Sequence, residues 1–167
     1  LALIGSPVGH SGSPAMYNYS FEKLGLDYAY VAFDIKVEEV KAALDAMRLF
    51  HMRGCNVTMP CKTEAAKYMD ELSPAARIIG AVNTIVNEDG KLIGHMTDGE
   101  GFVGNLRDHG IEIKGKKITV AGGGGAATAI QVQCALDGAR EISIFNIKDD
   151  FFERTLETAE KIRKEVP

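Results

Sequence analysis

The chain has 167 residues, of which 46% are hydrophobic and 25% are charged, and its formal net charge is −4. These values are ordinary for a globular domain, and a negative balance gives no electrostatic support to non-specific nucleic-acid binding. Its apolar runs are far shorter than the ~20 residues that cross a bilayer. Residues 1–5 lack the basic start of a signal peptide and are expected to form a buried strand.

The three cysteines have no spacing that is typical of a zinc site, and the four histidines have no ligand spacing either. We therefore expect no metal. Small buried thiols that stay reduced are the ordinary state of such cysteines in a cytoplasmic protein, which is the predicted location. The cysteines concerned are Cys55, Cys61 and Cys134.

Short apolar segments alternate with segments of helical periodicity along the chain. The first helix is predicted to begin with Ser13 as its N-cap, to carry Pro14 in its first turn and to end at Gly25. The pair Asp89-Gly90 predicts a hairpin turn. Strands are predicted at 1–4, 28–33, 54–57, 81–87, 117–121 and 141–146. Further helices are predicted at 37–47, at 98–110, from the glycine turn described below through 130–136, and at 150–164.

This alternation predicts an α/β fold with two parts. The first is an N-terminal α/β domain with a mostly parallel sheet, expected over residues 1–110. A polar stretch with Gly110 and Gly115 separates it from residues 111–167, which read strand, glycine turn, helix, strand, helix. That order corresponds to the first half of a Rossmann-like dinucleotide-binding domain.

A glycine-rich turn at 122–127 follows the strand at 117–121 and opens a helix, with the pattern Gly-x-Gly-x-x-Ala. Small residues let the backbone approach a pyrophosphate, and a helix N-terminus offers free N–H groups to it. The alternative to a pyrophosphate-binding turn is a merely flexible loop. The strand after it ends in Asn146-Ile147-Lys148-Asp149, where such folds bind the adenosine ribose. Asp149 favours NAD and Lys148 leaves NADP open, while Asp149 or Asp150 could instead cap the next helix.

Polar residues that could carry proton chemistry follow the strands of the first domain. Lys62 heads a helix, where its charge opposes the helix dipole, so a functional reason is plausible beside the alternative of a surface lysine. Asp98 starts another helix and could be a simple N-cap. In the loop after the first strand, Ser11 and Ser13 could bind a carboxylate, and His10 is expected to structure the loop.

Several of these segments resemble the shikimate dehydrogenase family in order and spacing, and the resemblance covers essentially the whole chain. The segment at 146–152 is most similar to the quinate/shikimate dehydrogenase branch, which accepts NAD as well as NADP. The matching segments are 5–14, 56–62, 80–84, 97–99, the glycine turn and 146–152.

The resemblance implies an oxidoreductase that interconverts shikimate and 3-dehydroshikimate, and also quinate and 3-dehydroquinate, with NAD or NADP. Lys62 and Asp98 would be the catalytic pair, and both would also contact the substrate. Residues 1–110 would be the substrate-binding and catalytic domain, a homodimer is allowed, and no nucleic acid or membrane is expected as a partner. Further substrate contacts would come from Ser11, Ser13, Thr58 and Asn83, and cofactor contacts from Gly123, Gly124, Gly125, Ala126, Asn146, Ile147, Lys148 and Asp149.

Four positions depart from the family pattern, and the second half of the family's cofactor domain is not in this sequence. Gly12 stands where a bulky or basic residue is usual, and Tyr17 where histidine is frequent. Met96 replaces an asparagine beside Thr97 and Asp98, and Ile147 replaces an arginine. The alternative to the enzyme is therefore a truncated or noncatalytic binding module of the same fold.

Overall fold

The computed structural model describes residues 1–166. The chain divides into two compact units. The first unit contains residues 1–73 and 81–95, and the second contains residues 74–80 and the chain from residue 96 onward. The predicted division at residue 110 lies at the end of a helix that groups with the second unit, and as a functional division it stays a prediction.

The first unit is built on a six-stranded sheet with helices packed against it. The strand order is β2-β1-β3-β5-β6-β4, in which β1 is parallel to β2 and β3, β4 is parallel to β6, and β5 is antiparallel to both its neighbours. The elements are β1 (Ala2–Gly5), α1 (Ser13–Leu24), β2 (Val31–Asp34), α2 (Val40–Leu49), β3 (Gly54–Val57), α3 (Lys62–Ala66), β4 (Glu71–Leu72), β5 (Thr84–Glu88) and β6 (Lys91–His95).

The second unit combines a two-stranded parallel sheet with four helices. Strands β7 and β8 pair in register from Lys117↔Glu141 to Ala121↔Phe145. The buried side chains Val103, Ile113 and Cys134 form a core cluster beside them. The elements are α4 (Pro74–Ile79), α5 (Asp98–Asp108), β7 (Lys117–Ala121), α6 (Gly125–Leu136), β8 (Glu141–Phe145) and α7 (Phe152–Glu165).

The sequence predictions hold at the level of elements and fail at some boundaries. The α/β class with a mostly parallel sheet is confirmed, and Gly25 ends α1 in the left-handed conformation (φ 65°) as expected. The prediction that Ser13 caps α1 is wrong, because Gly12 is the N-cap residue and the Ser11 hydroxyl accepts the Ser13 N–H at 3.2 Å. The second strand begins only at Val31, and the two-residue β4 was not foreseen.

Candidate active site

The polar residues of the first unit meet at one edge of its sheet. Strands β1 and β3 are parallel neighbours, so both end at this edge, and antiparallel β5 begins there. The chain segments that leave the strands are joined by the Ser6 N–H bond to the Met59 carbonyl (3.0 Å) and the Thr58 N–H bond to the Ile4 carbonyl (2.9 Å). Ligands of open α/β sheets bind outside the carboxyl ends of parallel strands, which is this edge.

Thr58, Lys62 and Asn83 are held close to one another by backbone hydrogen bonds. The Lys62 carbonyl accepts the Val82 N–H at 3.0 Å, and the Asn83 carbonyl accepts the Val57 N–H at 2.8 Å. All three residues are partly buried. The fold therefore brings together three predicted site residues that come from two separate segments of the chain.

The serine loop after β1 is fastened to the same edge. Asp34, the last residue of β2, accepts the Val8 N–H through its Oδ2 atom at 3.3 Å, and the Ser11 N–H donates to the Val8 carbonyl at 3.0 Å. The Ser11 hydroxyl and the start of α1 are joined by the bond to the Ser13 N–H described above. Ser11 and Ser13 thus lie in a short, hydrogen-bonded turn rather than in a loose loop.

A polar network under this edge was missed by the sequence analysis. The Tyr30 hydroxyl donates to Asn56 Oδ1 at 2.8 Å, and Asn56 Nδ2 donates to the Thr84 hydroxyl at 3.2 Å. The Tyr30 ring stacks on Tyr17 with centroids 4.5 Å apart, and burial raises the pKa of Tyr30 to about 12. The signal for Asn56 was a polar residue inside an otherwise buried strand, and it orients the start of β5 next to Asn83.

Lys62 and Asp98 each stand at the first position of a helix, in different units. Lys62 begins α3 after Cys61, whose N–H donates to the Thr58 carbonyl at 3.0 Å. Asp98 begins α5, with Thr97 and not Asp98 as the N-cap residue, so the alternative of Asp98 as a simple cap is not the arrangement found. The pairing of Lys62 with Asp98 stays a prediction.

Close packing against α6 explains why a glycine follows Asp98. A Cβ atom at this position would collide with the Ala129 carbonyl oxygen and lie 2.8 Å from Gln133 Cβ, both on α6. Because only glycine permits this close contact, the start of α5 is fixed against α6. Within the second unit, the position of the Asp98 backbone therefore depends on helix packing.

The glycine turn and α6 have the features expected of a phosphate site. Gly124 is the N-cap residue of the twelve-residue α6 and makes no side-chain cap bond, which leaves the first N–H groups of the helix to an anion. Added Cβ atoms at Gly124 and Gly125 would meet open space, whereas one at Gly123 would collide with the Thr155 hydroxyl. Gly123 is thus required for packing, and Gly124, Gly125 and Ala126 present backbone to the solvent side.

A groove of about 940 Å³ runs from this turn along the end of β8 and α7. Its walls include the turn itself, Asn146, Ile147, Asp149 and, further along, Arg163. Asp149 Oδ1 accepts the Phe151 N–H at 3.0 Å and the Asn146 side-chain amide at 3.1 Å. Asp149 therefore has the local structural role before α7 that the sequence offered as the alternative to ribose binding. It also lines the groove. These residues fit the adenosine half of a dinucleotide.

In residues 1–166, no group of three or more histidine, cysteine, aspartate or glutamate side chains could hold a metal ion. Over the same residues, no helix combines the length and the apolar character needed to cross a bilayer.

Comparison with known proteins assigns the chain to a family. Residues 3–85 match the model of the shikimate dehydrogenase substrate binding domain. "Shikimate dehydrogenase (NADP(+))" of Listeria monocytogenes is 54% identical over 162 residues, which are 97% of this chain and 56% of that protein. The enzyme of Streptococcus uberis with the same name is 52% identical over 164 residues, again with 97% and 56% coverage. The chain thus spans little more than half the length of these relatives.

Solved structures agree with this assignment. Shikimate 5-dehydrogenase of Listeria monocytogenes, in complex with shikimate and NAD, has a TM-score of 0.96 and 53% identity, with 99% of this chain and 57% of that chain covered. Ligand-free 5-ketofructose reductase of Gluconobacter sp. strain CHM43 has a TM-score of 0.90 and 33% identity, with 99% and 58% coverage. The nearer likeness to the quinate/shikimate branch stays a prediction. On the order of its motifs, its fold and these matches, the chain belongs to the shikimate dehydrogenase family.

Proposed function

We propose that the polypeptide carrying this chain oxidises shikimate to 3-dehydroshikimate, and catalyses the reverse reduction, with NAD or NADP. The observation that carries the proposal is the arrangement of Thr58, Lys62 and Asn83 at one sheet edge, next to the serine loop. The relatives named above support the same substrate and the same cofactor class.

In this proposal Lys62 handles the proton. Oxidation of a secondary alcohol removes the carbinol hydrogen as hydride and the hydroxyl hydrogen as a proton. A bound nicotinamide cofactor supplies the hydride acceptor. Lys62, assisted by Asp98, receives the proton, and in the reverse direction its ammonium donates to the developing alkoxide and stabilises that charge.

The other residues of the edge hold the substrate. Ser11 and Ser13 bind the carboxylate, and Thr58 and Asn83 bind the ring hydroxyls or the carboxylate side. Their backbone is fixed by the bonds described above, so the site is largely formed before the substrate arrives, which lowers the entropy lost on binding.

The second unit supplies the cofactor contacts. Gly124, Gly125 and Ala126 contact the pyrophosphate, Gly123 lets α7 pack behind them, and residues 146–149 line the ribose end of the groove. The Asp149 carboxylate accepts a ribose hydroxyl, which favours NAD, while Lys148 and Arg163 offer positive charge to a 2′-phosphate.

Three finer points belong to the proposal. Quinate is a second substrate, a cytoplasmic location with reduced thiols is expected, and the protein forms a homodimer. The alternative function is a noncatalytic module that holds the cyclic acid or the cofactor. The likeness to 5-ketofructose reductase favours testing other substrates, because a protein of this fold at 33% identity carries a different substrate in its name.

The test is a Lys62→Ala variant of the full polypeptide, assayed by the absorbance of the reduced cofactor with shikimate and then with quinate. Loss of the proton acceptor is expected to lower kcat by about 10²–10⁴-fold, while the cofactor Kd changes little. The matched control is Lys67→Ala, directly after the same helix, where the exposed lysine pairs with Glu64.

Normal turnover by Lys62→Ala would remove the proton role of this lysine. If the unmodified protein bound shikimate but did not turn it over with either cofactor, the result would reject the enzyme and support the noncatalytic binding module. Turnover of neither cyclic acid, together with no binding of them, would reject the substrate class altogether.

A further inference from the structure

We propose, on the basis of the cofactor site in the proposed function, that Gln131 and Thr128 are positioning residues for the cofactor. Their side chains hold the glycine turn so that its N–H groups face the groove. Both residues are polar, yet they are 0% and 1% exposed and belong to the buried side of α6. Glutamine and threonine are mostly exposed in proteins, and where they are buried they usually make a specific hydrogen bond.

Both side chains bond to carbonyl groups of the glycine turn. Gln131 Nε2 donates to the Gly122 carbonyl at 3.1 Å. The Thr128 hydroxyl donates to the Gly123 carbonyl at 3.4 Å, and the greater length makes this the weaker bond. The Gly122 N–H donates to the Phe145 carbonyl, in β8, at 2.7 Å. The peptide groups on both sides of Gly122 are therefore fixed, one by β8 and the other by α6.

The planar peptide group converts these bonds into a direction for the next two N–H groups. The peptides of the turn are trans, so each N–H points opposite to the carbonyl that precedes it. The bonds from α6 therefore turn the N–H groups of Gly123 and Gly124 away from this helix. The wall of the groove contains these glycines but neither Gln131 nor Thr128, so the N–H groups face the groove. Within residues 1–166, neither N–H has a protein acceptor.

Gln131 carries a cost that packing alone does not explain. Its Oε1 atom is buried and, in the described residues 1–166, has no hydrogen-bond partner. A buried polar atom without a partner destabilises the folded state, and an apolar side chain of the same shape avoids this loss. The reversed amide would be worse, because its oxygen would face the Gly122 carbonyl, which can only accept. The bond to Gly122 is thus what glutamine offers at this position and methionine does not.

The composition of the turn explains why such support matters. Residues 122–125 are four consecutive glycines, and glycine loses more backbone freedom on ordering than any other residue. Gly122 has a φ of 117°, a conformation that favours glycine, so a larger residue there would not remove this freedom without strain. The bonds from α6 restrict the turn instead. A turn that is ordered before the pyrophosphate arrives loses less entropy on binding, which raises the affinity.

The variant Gln131→Met of the full polypeptide separates this role from packing. Methionine adapts to the same space and leaves no polar atom without a partner. We expect the dissociation constants of NAD and NADP, measured by calorimetry, to rise equally by about three- to tenfold, since the pyrophosphate is common to both and one neutral hydrogen bond is lost. The midpoint of thermal unfolding without cofactor should stay the same or rise, and kcat at saturating cofactor should not change.

Three further variants complete the test. Thr128→Val removes the hydroxyl and keeps the shape, and its effect on both cofactors should be smaller because the bond is longer. Thr128→Ser keeps the hydroxyl and should bind both cofactors as the unmodified protein does. Gln133→Met is the matched control on the same helix. The Gln133 amide bonds to Asp137 at 2.9 Å and not to the turn, so this variant should leave cofactor affinity unchanged.

The possible results are distinct. Unmodified cofactor affinity in both Gln131→Met and Thr128→Val would overturn the positioning role alone and leave the proposed function intact. A lower unfolding midpoint in Gln131→Met would also overturn it, because the bond to Gly122 would then support folding. The same holds for an equal loss of affinity in Gln133→Met, which would mean that any change in α6 disturbs the turn. If the unmodified protein bound neither cofactor, the proposed function itself would be rejected, and the positioning role with it.

Discussion

At the scale of single residues, the polar side chains of this chain have two uses that the sequence does not separate. Asp149 forms a turn through the Phe151 N–H and also lines the groove along the end of β8 and α7. Ser11 bonds to the start of α1 and is also a candidate carboxylate ligand. The residue type predicts that a bond is made, and only the fold identifies the partner.

The substitution Asp149→Asn separates the charge of this side chain from its structural role. The new amide keeps the oxygen that accepts the Phe151 and Asn146 bonds, and loses the negative charge that repels a 2′-phosphate. We expect NAD binding to weaken by about tenfold, because hydrogen bonds to charged groups contribute about 1.5–3 kcal/mol, and NADP binding to hold or improve. The two dissociation constants can be measured by calorimetry.

The neighbouring exposed Asp150 provides the control, since it lies one position further along and does not line the groove. Asp150→Asn should leave the ratio of NAD to NADP affinity unchanged. If Asp149→Asn lowered the affinity for both cofactors equally, or changed neither affinity, Asp149 would not recognise the ribose.

At the scale of elements, the sequence patterns predicted which helices and strands form. The residue at which an element begins depended on contacts with neighbouring segments of the chain. Periodicity and glycine positions indicated α1 and its end at Gly25. The start of α1 depends on a hydroxyl two residues earlier, and the start of β2 depends on where β1 lies beside it. Strand β4 has two residues, too few for any period to be visible.

A second prediction concerns the close contact between α5 and α6 at Gly99. Gly99→Ala is expected to destabilise the protein by about 1–3 kcal/mol, because the new methyl group would overlap the backbone of α6. Urea unfolding measures the change. Gly104→Ala in the same helix is the control, since an added Cβ there meets nothing within 4 Å, and alanine should stabilise the helix by about 0.5–1 kcal/mol. Similar effects of both substitutions would mean that α5 and α6 are not in close contact at Gly99.

At the scale of the whole molecule, burial decides the chemistry of the three thiols. Cys55, Cys61 and Cys134 are 4%, 0% and 0% exposed. Burial raises the pKa of Cys55 to about 12 and raises the pKa of Cys61 and Cys134 above the ordinary value. All three groups therefore stay protonated at neutral pH, and the thiolate that reacts with electrophiles is scarce.

A thiol reagent should accordingly modify none of these cysteines in the folded protein at pH 7 on the time scale of minutes, and all three in denaturant. Mass spectrometry counts the modified thiols. Tyr19→Cys supplies an exposed reference thiol on α1. Rapid labelling of Cys61 in the folded protein would show that the segment before Lys62 opens, contrary to the buried state described here.

The sequence by itself determined the α/β class, the existence of most elements and the segments that we propose to carry chemistry, because periodicity, turn residues and short motifs are local properties. Only the tertiary structure decided the strand order β2-β1-β3-β5-β6-β4, which places Thr58 and Asn83 at one edge. It also decided that the Tyr30 hydroxyl donates to Asn56 and that the side chain of Asn18 accepts the Tyr30 N–H. These contacts join residues 26 and 12 positions apart, and their partners are chosen by how the elements pack, which no local pattern specifies.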